Sequence, residues 1–262
     1  MITSLQNKGI KNVIKLAKSR ERREQQLFVI EGARELLLAL QSGYELAAVY
    51  VFRDLLLSSK YPNILDTIPG DIVFEVSAPV FEKIAYRENS DGLVAVAKQK
   101  SHTLSDLHLK PNPFVLLLEG VEKPGNLGAI LRTADAAAVD AVIVCDPLTD
   151  VYNPNVIRSS VGGLFTVQTA VCSSADALKW LNDHHITTFA AELEAAEFHH
   201  HVDFRTPSAV VLGTEADGLT DFWLLNATKR IKIPMHGKVD SLNVSVSAAV
   251  IAFEAMRQRG FK

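Results

Sequence analysis

The chain has 262 residues, 48% of them of apolar type and 22% charged, with a formal net charge of −3 at neutral pH. That length can bury a sizeable core in one large or two modest domains, and the small negative balance excludes an overall basic field, so any contact with nucleic acid must come from a local patch. Two cysteines, Cys145 and Cys172, have neither metal-ligand spacing nor the density of a disulfide scaffold, and neither a signal peptide nor a membrane span is legible, which together point to a cytoplasmic protein.

In chain order, "KGIKNVIKLAKSRERR" predicts a basic amphipathic helix. Lys11, Lys15, Lys18 and Arg22 follow i, i+4, i+7, i+11 spacing, while Ile10, Val13, Ile14 and Ala17 take the other side. The four cations are candidate phosphate contacts, although exposed lysines are more often only solvated. A strand in "QLFVIEG", a helix in "ARELLLALQSG", a strand in "LAAVYVF" and alternation ending in "DGLVAVAKQK" make a small α/β domain. The polar stretch "SHTLSDLHLKPNPF", with Pro111 and Pro113, has the composition of a boundary and divides the chain into domains 1–105 and 106–262.

Beyond it, apolar strands ("FVLLLEG", "AVIVCD", "TVQTAV", "TTFAAEL", "SAVVLG", "KRIKIPM") alternate with helical patterns ("LGAILRTADAAAV", "PNVIRSSVGGLF", "SADALKWLNDH", "FWLLNAT"). Continuous apolar strands separated by helices predict a parallel sheet covered on both faces. Trp180 and Trp223 fall in helical segments and read as packing residues. The histidines His184, His185 and His199 to His201 read as polar surface loops, because adjacent histidines cannot all face one ion and no acidic or cysteine partner is suitably spaced.

Three loops carry candidate chemistry. In "EGVEKPGNLGAILRTADAAAVDAV" a strand ends at Glu119 and Gly120, a loop holds Pro124, Gly125 and Asn126, and a helix opens near Leu127 with Arg132 about one turn in. Its glycines either let the backbone approach a ligand beside free helix N–H groups or serve only tight packing. In "VVLGTEADGL", Gly213, Glu215 and Gly218 follow a buried strand at the carboxyl edge of the sheet, where ligands bind, though a lone glutamate there is more commonly a turn residue. "IPMHGKVDSLNVSVSAAV" leaves a buried strand at Ile233 and places Ser241, Asn243, Ser245 and Ser247 at the start of an apolar helix. Helix capping by Ser241 or Asn243 would explain part of that. The fingerprints G-x-G-x-x-G and G-x-x-x-x-G-K-[ST] are both absent, which counts against a nucleotide-dependent oxidoreductase and a P-loop enzyme.

Together the stretches "NLGAILRTADAAAVDAV", "VVLGTEADGL" and "IKIPMHGKVDSLNVSVSAAV" resemble the three signature motifs of the SpoU (TrmH-type) RNA 2′-O-ribose methyltransferases of the SPOUT class. The likeness covers the C-terminal half; "FVIEGARELLLAL" is more loosely similar to the L30e-like substrate-binding domain of many members. The resemblance implies an α/β fold whose C-terminal chain threads a trefoil knot, a homodimer with shared active sites, and methyl transfer from S-adenosylmethionine to a ribose 2′-hydroxyl without a metal. It implies a donor cleft around Gly213, Ile233 and Leu242 with Glu192 nearby, and polar active-site positions at Asn126, Arg132, Glu215, Ser241 and Asn243. RNA is the implied partner, ribosomal RNA before transfer RNA, with Arg158 a further contact. A guanidinium stays protonated, so Arg132 reads as an orienter of the hydroxyl and the base is unassigned, with Glu215 one acceptor to consider. The alternative of a different class is a catalytically silent RNA-binding protein of the same fold.

Overall fold

A computed structural model describes residues 1–86 and 91–261. It divides into two compact units, Met1–Lys100 with Asp150–Thr166, and Ser101–Thr149 with Val167–Lys262.

In the first unit the basic N-terminal stretch is two helices, α1 (Lys8–Lys15) and α2 (Ser19–Gln25). Asn7 caps α1 by accepting from the Gly9 N–H at 2.8 Å. The break between the helices moves Arg22 off the lysine face. Its side chain, 2% exposed, donates to the carbonyls of Leu16 and Ala17 at 2.8 Å each and pairs with Asp150. A helix end leaves carbonyls that need donors, and Arg22 supplies them; it is therefore not a phosphate contact, contrary to the sequence expectation. Lys11, Lys15 and Lys18 are exposed.

There follow β1 (Leu27–Glu31), α3 (Ala33–Gln41), β2 (Leu46–Val51), α4 (Arg53–Ser58), β3 (Val73–Glu75), α5 (Ala78–Ile84) and β4 (Leu93–Lys98), with a four-stranded sheet in the order β1-β4-β2-β3. Strand β4 is antiparallel to both neighbours, and β2 and β3 are parallel. Ile10, Val13 and Leu16 join Val80, Phe81 and Ile84 in one core on this sheet.

Residues Asp150–Thr166, which the sequence division puts in the second domain, pack in this unit. Tyr152 lies against Phe28 with ring centroids 4.3 Å apart, and Phe165 meets Tyr44 at 5.2 Å. The Tyr152 hydroxyl accepts from the Lys100 N–H at 2.8 Å and donates to the Lys100 carbonyl at 3.2 Å. Periodicity marks helices in this stretch without saying which sheet they cover.

The remaining elements are β5 (Phe114–Glu119), α6 (Pro124–Ala136), β6 (Ala141–Cys145), the first unit's α7 (Pro154–Ser160) and α8 (Gly163–Thr166), then β7 (Thr169–Cys172), α9 (Ser174–Asp183), β8 (Thr187–Ala191), β9 (Glu197–Phe198), β10 (Ser208–Leu212), α10 (Asp221–Asn226), β11 (Lys229–Lys232) and α11 (Val244–Gln258). The second unit's sheet has the order β7-β6-β5-β10-β8-β11-β9 with every pair parallel, the architecture expected from its continuous apolar strands. Every residue of β5, β6 and β10 is buried. Trp223 is fully buried with its Nε1 donating to Ser174 Oγ at 3.0 Å, and Trp180 packs partly buried against the same core.

Two local expectations change. Strand β11 ends at Lys232, before Ile233, because Pro234 cannot donate to a ladder. His199 to His201 form a short 3-10 turn in which His199 is buried, and that burial lowers its imidazole pKa. Among the described residues no group of three His, Cys, Asp or Glu side chains could hold a metal ion, and no helix is long and apolar enough to cross a membrane.

The Arg22–Asp150 pair can be tested. Asp150→Ala leaves a buried guanidinium without its anion, and the expected loss is about 2–4 kcal/mol, moderated by the two carbonyls that Arg22 retains. Urea denaturation measures it, and a midpoint equal to wild type would show that the pair does not hold the first unit together.

Candidate active site

Strands β5 and β10 are neighbours, yet the chain runs outward from β5 to β6 and β7 on one side and returns to β8, β10 and β11 on the other. Ligands bind outside the carboxyl ends of strands at such a reversal. The three loops singled out in the sequence leave β5, β10 and β11 at this edge.

The loop after β10 is shaped by close backbone approach. A side-chain carbon at Gly213 would overlap the backbone of Gly218, and Thr214 and Gly218 exchange backbone hydrogen bonds at 2.9 and 3.2 Å. Gly218 has φ +69°, a left-handed conformation that glycine adopts without strain. The loop's exit is held by Glu119 at the end of β5, 6% exposed, which accepts from Thr220 N–H at 2.8 Å and Thr220 Oγ1 at 2.7 Å.

Glu215 gathers the three loops. Its carboxylate accepts from Asn126 Nδ2 at 3.0 Å, from Asn243 Nδ2, and from the Lys123 ammonium. Asn243 Nδ2 also lies 3.3 Å from Asn126 Oδ1. Lys123 and Asn126 hold the Glu215 carboxyl below its usual range, and Glu215 in turn raises Lys123. A lowered carboxylate pKa means that the tie is complete at neutral pH and weakens only as pH falls through that lowered value.

Asn243 has two roles. Its Oδ1 caps α11, accepting from Ser245 N–H at 2.9 Å and Ser245 Oγ at 2.6 Å, while its Nδ2 reaches Glu215. Helix α6 opens at Pro124, earlier than the sequence reading, so Asn126 lies in its first turn and Arg132 more than two turns in. Arg132 is exposed.

A cleft of about 540 Å³ lies at this edge, lined by Glu192, Gly213, Glu215, Ile233, Ser241 and Leu242, with Leu212, Leu219, Ile231 and Ile251 among its apolar walls. A second cavity of about 210 Å³ shares the Gly213 to Asp217 wall and adds Lys123, Asn126, Ile130 and Leu148. Arg132 lines neither cavity. Lys11, Lys15, Lys18 and Arg158 belong to the first unit. Glu119 and Lys123 escaped the sequence reading; their places beside Gly120 and just before Pro124 were the available signals.

The sequence model of the SpoU rRNA Methylase family matches residues 113–253, and that of the MRM3-like substrate binding domain matches residues 7–95. An uncharacterized tRNA/rRNA methyltransferase of Synechocystis sp. is 31% identical over 98% of this chain and 94% of its own. A crystal structure of an RNA 2′-O ribose methyltransferase is 39% identical with TM-score 0.85, covering 98% of both chains. The crystal structure of an AdoMet-bound rRNA methyltransferase from Sinorhizobium meliloti is 27% identical with TM-score 0.87, over 98% of this chain and 97% of that one.

Asn243→Asp separates the two roles of that residue, keeping the acceptor that caps α11 but replacing the donor to Glu215 with a second carboxylate. Hydrogen exchange is expected to show faster opening of residues 213–218 with α11 still protected. Equal protection of the loop in both proteins would remove the Glu215 tie from the account.

Proposed function

This chain belongs to the SpoU rRNA Methylase family, and on that premise we infer that it is an S-adenosylmethionine-dependent methyltransferase that modifies a ribose 2′-hydroxyl of ribosomal RNA. The observation that carries this reading is the convergence of the three loops on one Glu215-tied cleft.

The cleft suits the methyl donor. Its walls combine apolar side chains such as Leu212, Ile231 and Ile251 with polar ones, Gly213 lines it, and Glu192, 15% exposed, has an Oε1 that is buried without a hydrogen bond, since its 3.3 Å contact with Arg230 is an ion pair only. Buried acceptors need donors, and ribose hydroxyls of an adenosine would supply them. Glu192, Gly213, Ile233 and Leu242 would hold the donor, which supplies a methyl group on a positively charged sulfur.

The protein's own task is alignment. Charge is partly annihilated as the methyl moves, so the electrostatic demand is modest, while correct placement of reacting groups is worth up to about 7–11 kcal/mol. Asn126, Glu215 and Asn243 tie the loops together, and Glu215 and Ser241 present hydrogen-bonding groups at the cleft. Arg132 orients the RNA and stabilises negative charge developing on the 2′-oxygen.

The same reading includes a homodimer and a knot. Val246 and Phe253, 46% and 43% exposed, lie on one face of α11 with Ala249 and Val250 between them, an apolar stripe that a second copy would cover. Helix α11 packs on α6 and β5 although β11 lies beyond β8, so residues 233–243 cross back over the carboxyl ends of the strands, as a threaded chain would. Action on ribosomal RNA agrees with the cytoplasmic reading of the sequence, and Lys11, Lys15 and Lys18 supply the first unit's phosphate contacts.

Two measurements test this. Arg132→Lys is expected to lose most methyl transfer while calorimetry shows S-adenosylmethionine bound as before; near-normal turnover would remove Arg132 from the mechanism. Mapping ribose methylation in total RNA from cells with and without the protein is expected to reveal a ribosomal site that depends on it, and a change confined to transfer RNA would overturn the substrate assignment.

A further inference from the structure

The first unit contains a cavity that neither the family motifs nor the cleft accounts for. It measures about 170 Å³ and is walled by Ile14, Ala17, Val29, Ile84 and Ile157, drawn from α1, the turn after it, β1, α5 and α7. Tyr86 stands at its edge 58% exposed, outside the core formed by its neighbours Phe81 and Ile84. Arg158 also lines it, with its guanidinium carbon 5.3 Å from the Tyr86 ring centroid. The Tyr86 N–H donates to Glu31 Oε2 at 2.8 Å, and Arg158 Nη2 donates to Asn155 Oδ1 at 3.3 Å, so backbone tether and side-chain contact place both groups at the mouth.

Three features together select the occupant. The walls are mainly apolar, with Glu31 and Lys83 also lining them, and the volume is that of one small ring system. An exposed aromatic ring and a guanidinium plane stand together at the opening. Ile14, itself 41% exposed, lies among the exposed cations Lys11, Lys15 and Lys18. Cations that follow a phosphate backbone, beside an aromatic face on which an unstacked base can lie, are the elements of single-strand recognition in RNA. A duplex has its bases already stacked and could use only the cations.

We propose that this cavity holds one splayed nucleobase of single-stranded RNA, stacked on Tyr86 and secured by Arg158, so that the first unit selects an unpaired segment of the substrate. The choice of RNA as occupant rests on the methyltransferase reading. The stacking contact itself is independent of methyl transfer. Arg158 thereby has a base-stacking and hydrogen-bonding role in addition to its charge.

The test uses the full chain and a short single-stranded oligoadenylate carrying one 2-aminopurine, with its duplex as control. Wild-type protein is expected to quench the probe's fluorescence by stacking in the single strand and not in the duplex. Tyr86→Ala should weaken binding about five- to a hundred-fold and abolish the quench without altering the salt dependence, whereas Tyr86→Phe should preserve both. Because Tyr86 is exposed, the alanine variant should fold, and a urea denaturation midpoint equal to wild type verifies this. Wild-type affinity and quench in Tyr86→Ala, or equal losses in the alanine and phenylalanine variants, would overturn the proposal. A protein that quenches the probe through Tyr86 but transfers no methyl group would uphold this site and refute the transferase reading.

Discussion

The site depends on one carboxylate. Glu215 receives donors from Lys123, from Asn126 in the first turn of α6 and from Asn243 at the cap of α11, so residues far apart in sequence meet at a single acceptor group. An ionised carboxylate has acceptor sites enough for several donors, and an adjacent ammonium keeps it ionised. The strands bring three loops to one edge, but strand pairing alone would leave each loop free to choose its own path. Glu119 secures the exit of the middle loop at Thr220, and the Gly213–Gly218 approach fixes its width. A reaction governed by alignment benefits from a carboxylate committed in this way more than from one free to accept protons.

The sheet was legible in the sequence because a strand covered on both faces must be apolar along nearly its whole length, as β6 is and as β5 is up to Glu119. The three loops were legible because glycine and polar residues break that pattern at strand ends. Local chemistry was read less well. Pro124 is the first residue of α6 and a strong helix-start signal, yet its neighbours Gly125 and Asn126 have loop composition and disguised it. Asn243 is both a cap and a donor to Glu215, and a single chain cannot reveal the second role because the acceptor is reached only in the folded sheet.

Arg22 shows a different kind of failure. Its spacing from Lys11, Lys15 and Lys18 suits one uninterrupted helix, and no glycine or proline marks the break between α1 and α2. What fixes Arg22 is Asp150, 128 residues away, and long-range pairing of that sort leaves no periodic trace. The same holds for Phe28, Tyr44, Tyr152 and Phe165, whose mutual packing assigns a stretch of the second half to the first sheet.

That assignment bears on biosynthesis. Domains generally fold in order as the chain leaves the ribosome, but here the amino-terminal sheet must wait for β5, α6 and β6 to be made before Tyr152 and Phe165 arrive to cover Phe28 and Tyr44. Until then a nascent chain carries uncovered aromatic surface, the state that holdase chaperones bind. A slow codon run between β6 and α7 would lengthen that interval without altering a single contact of the finished protein.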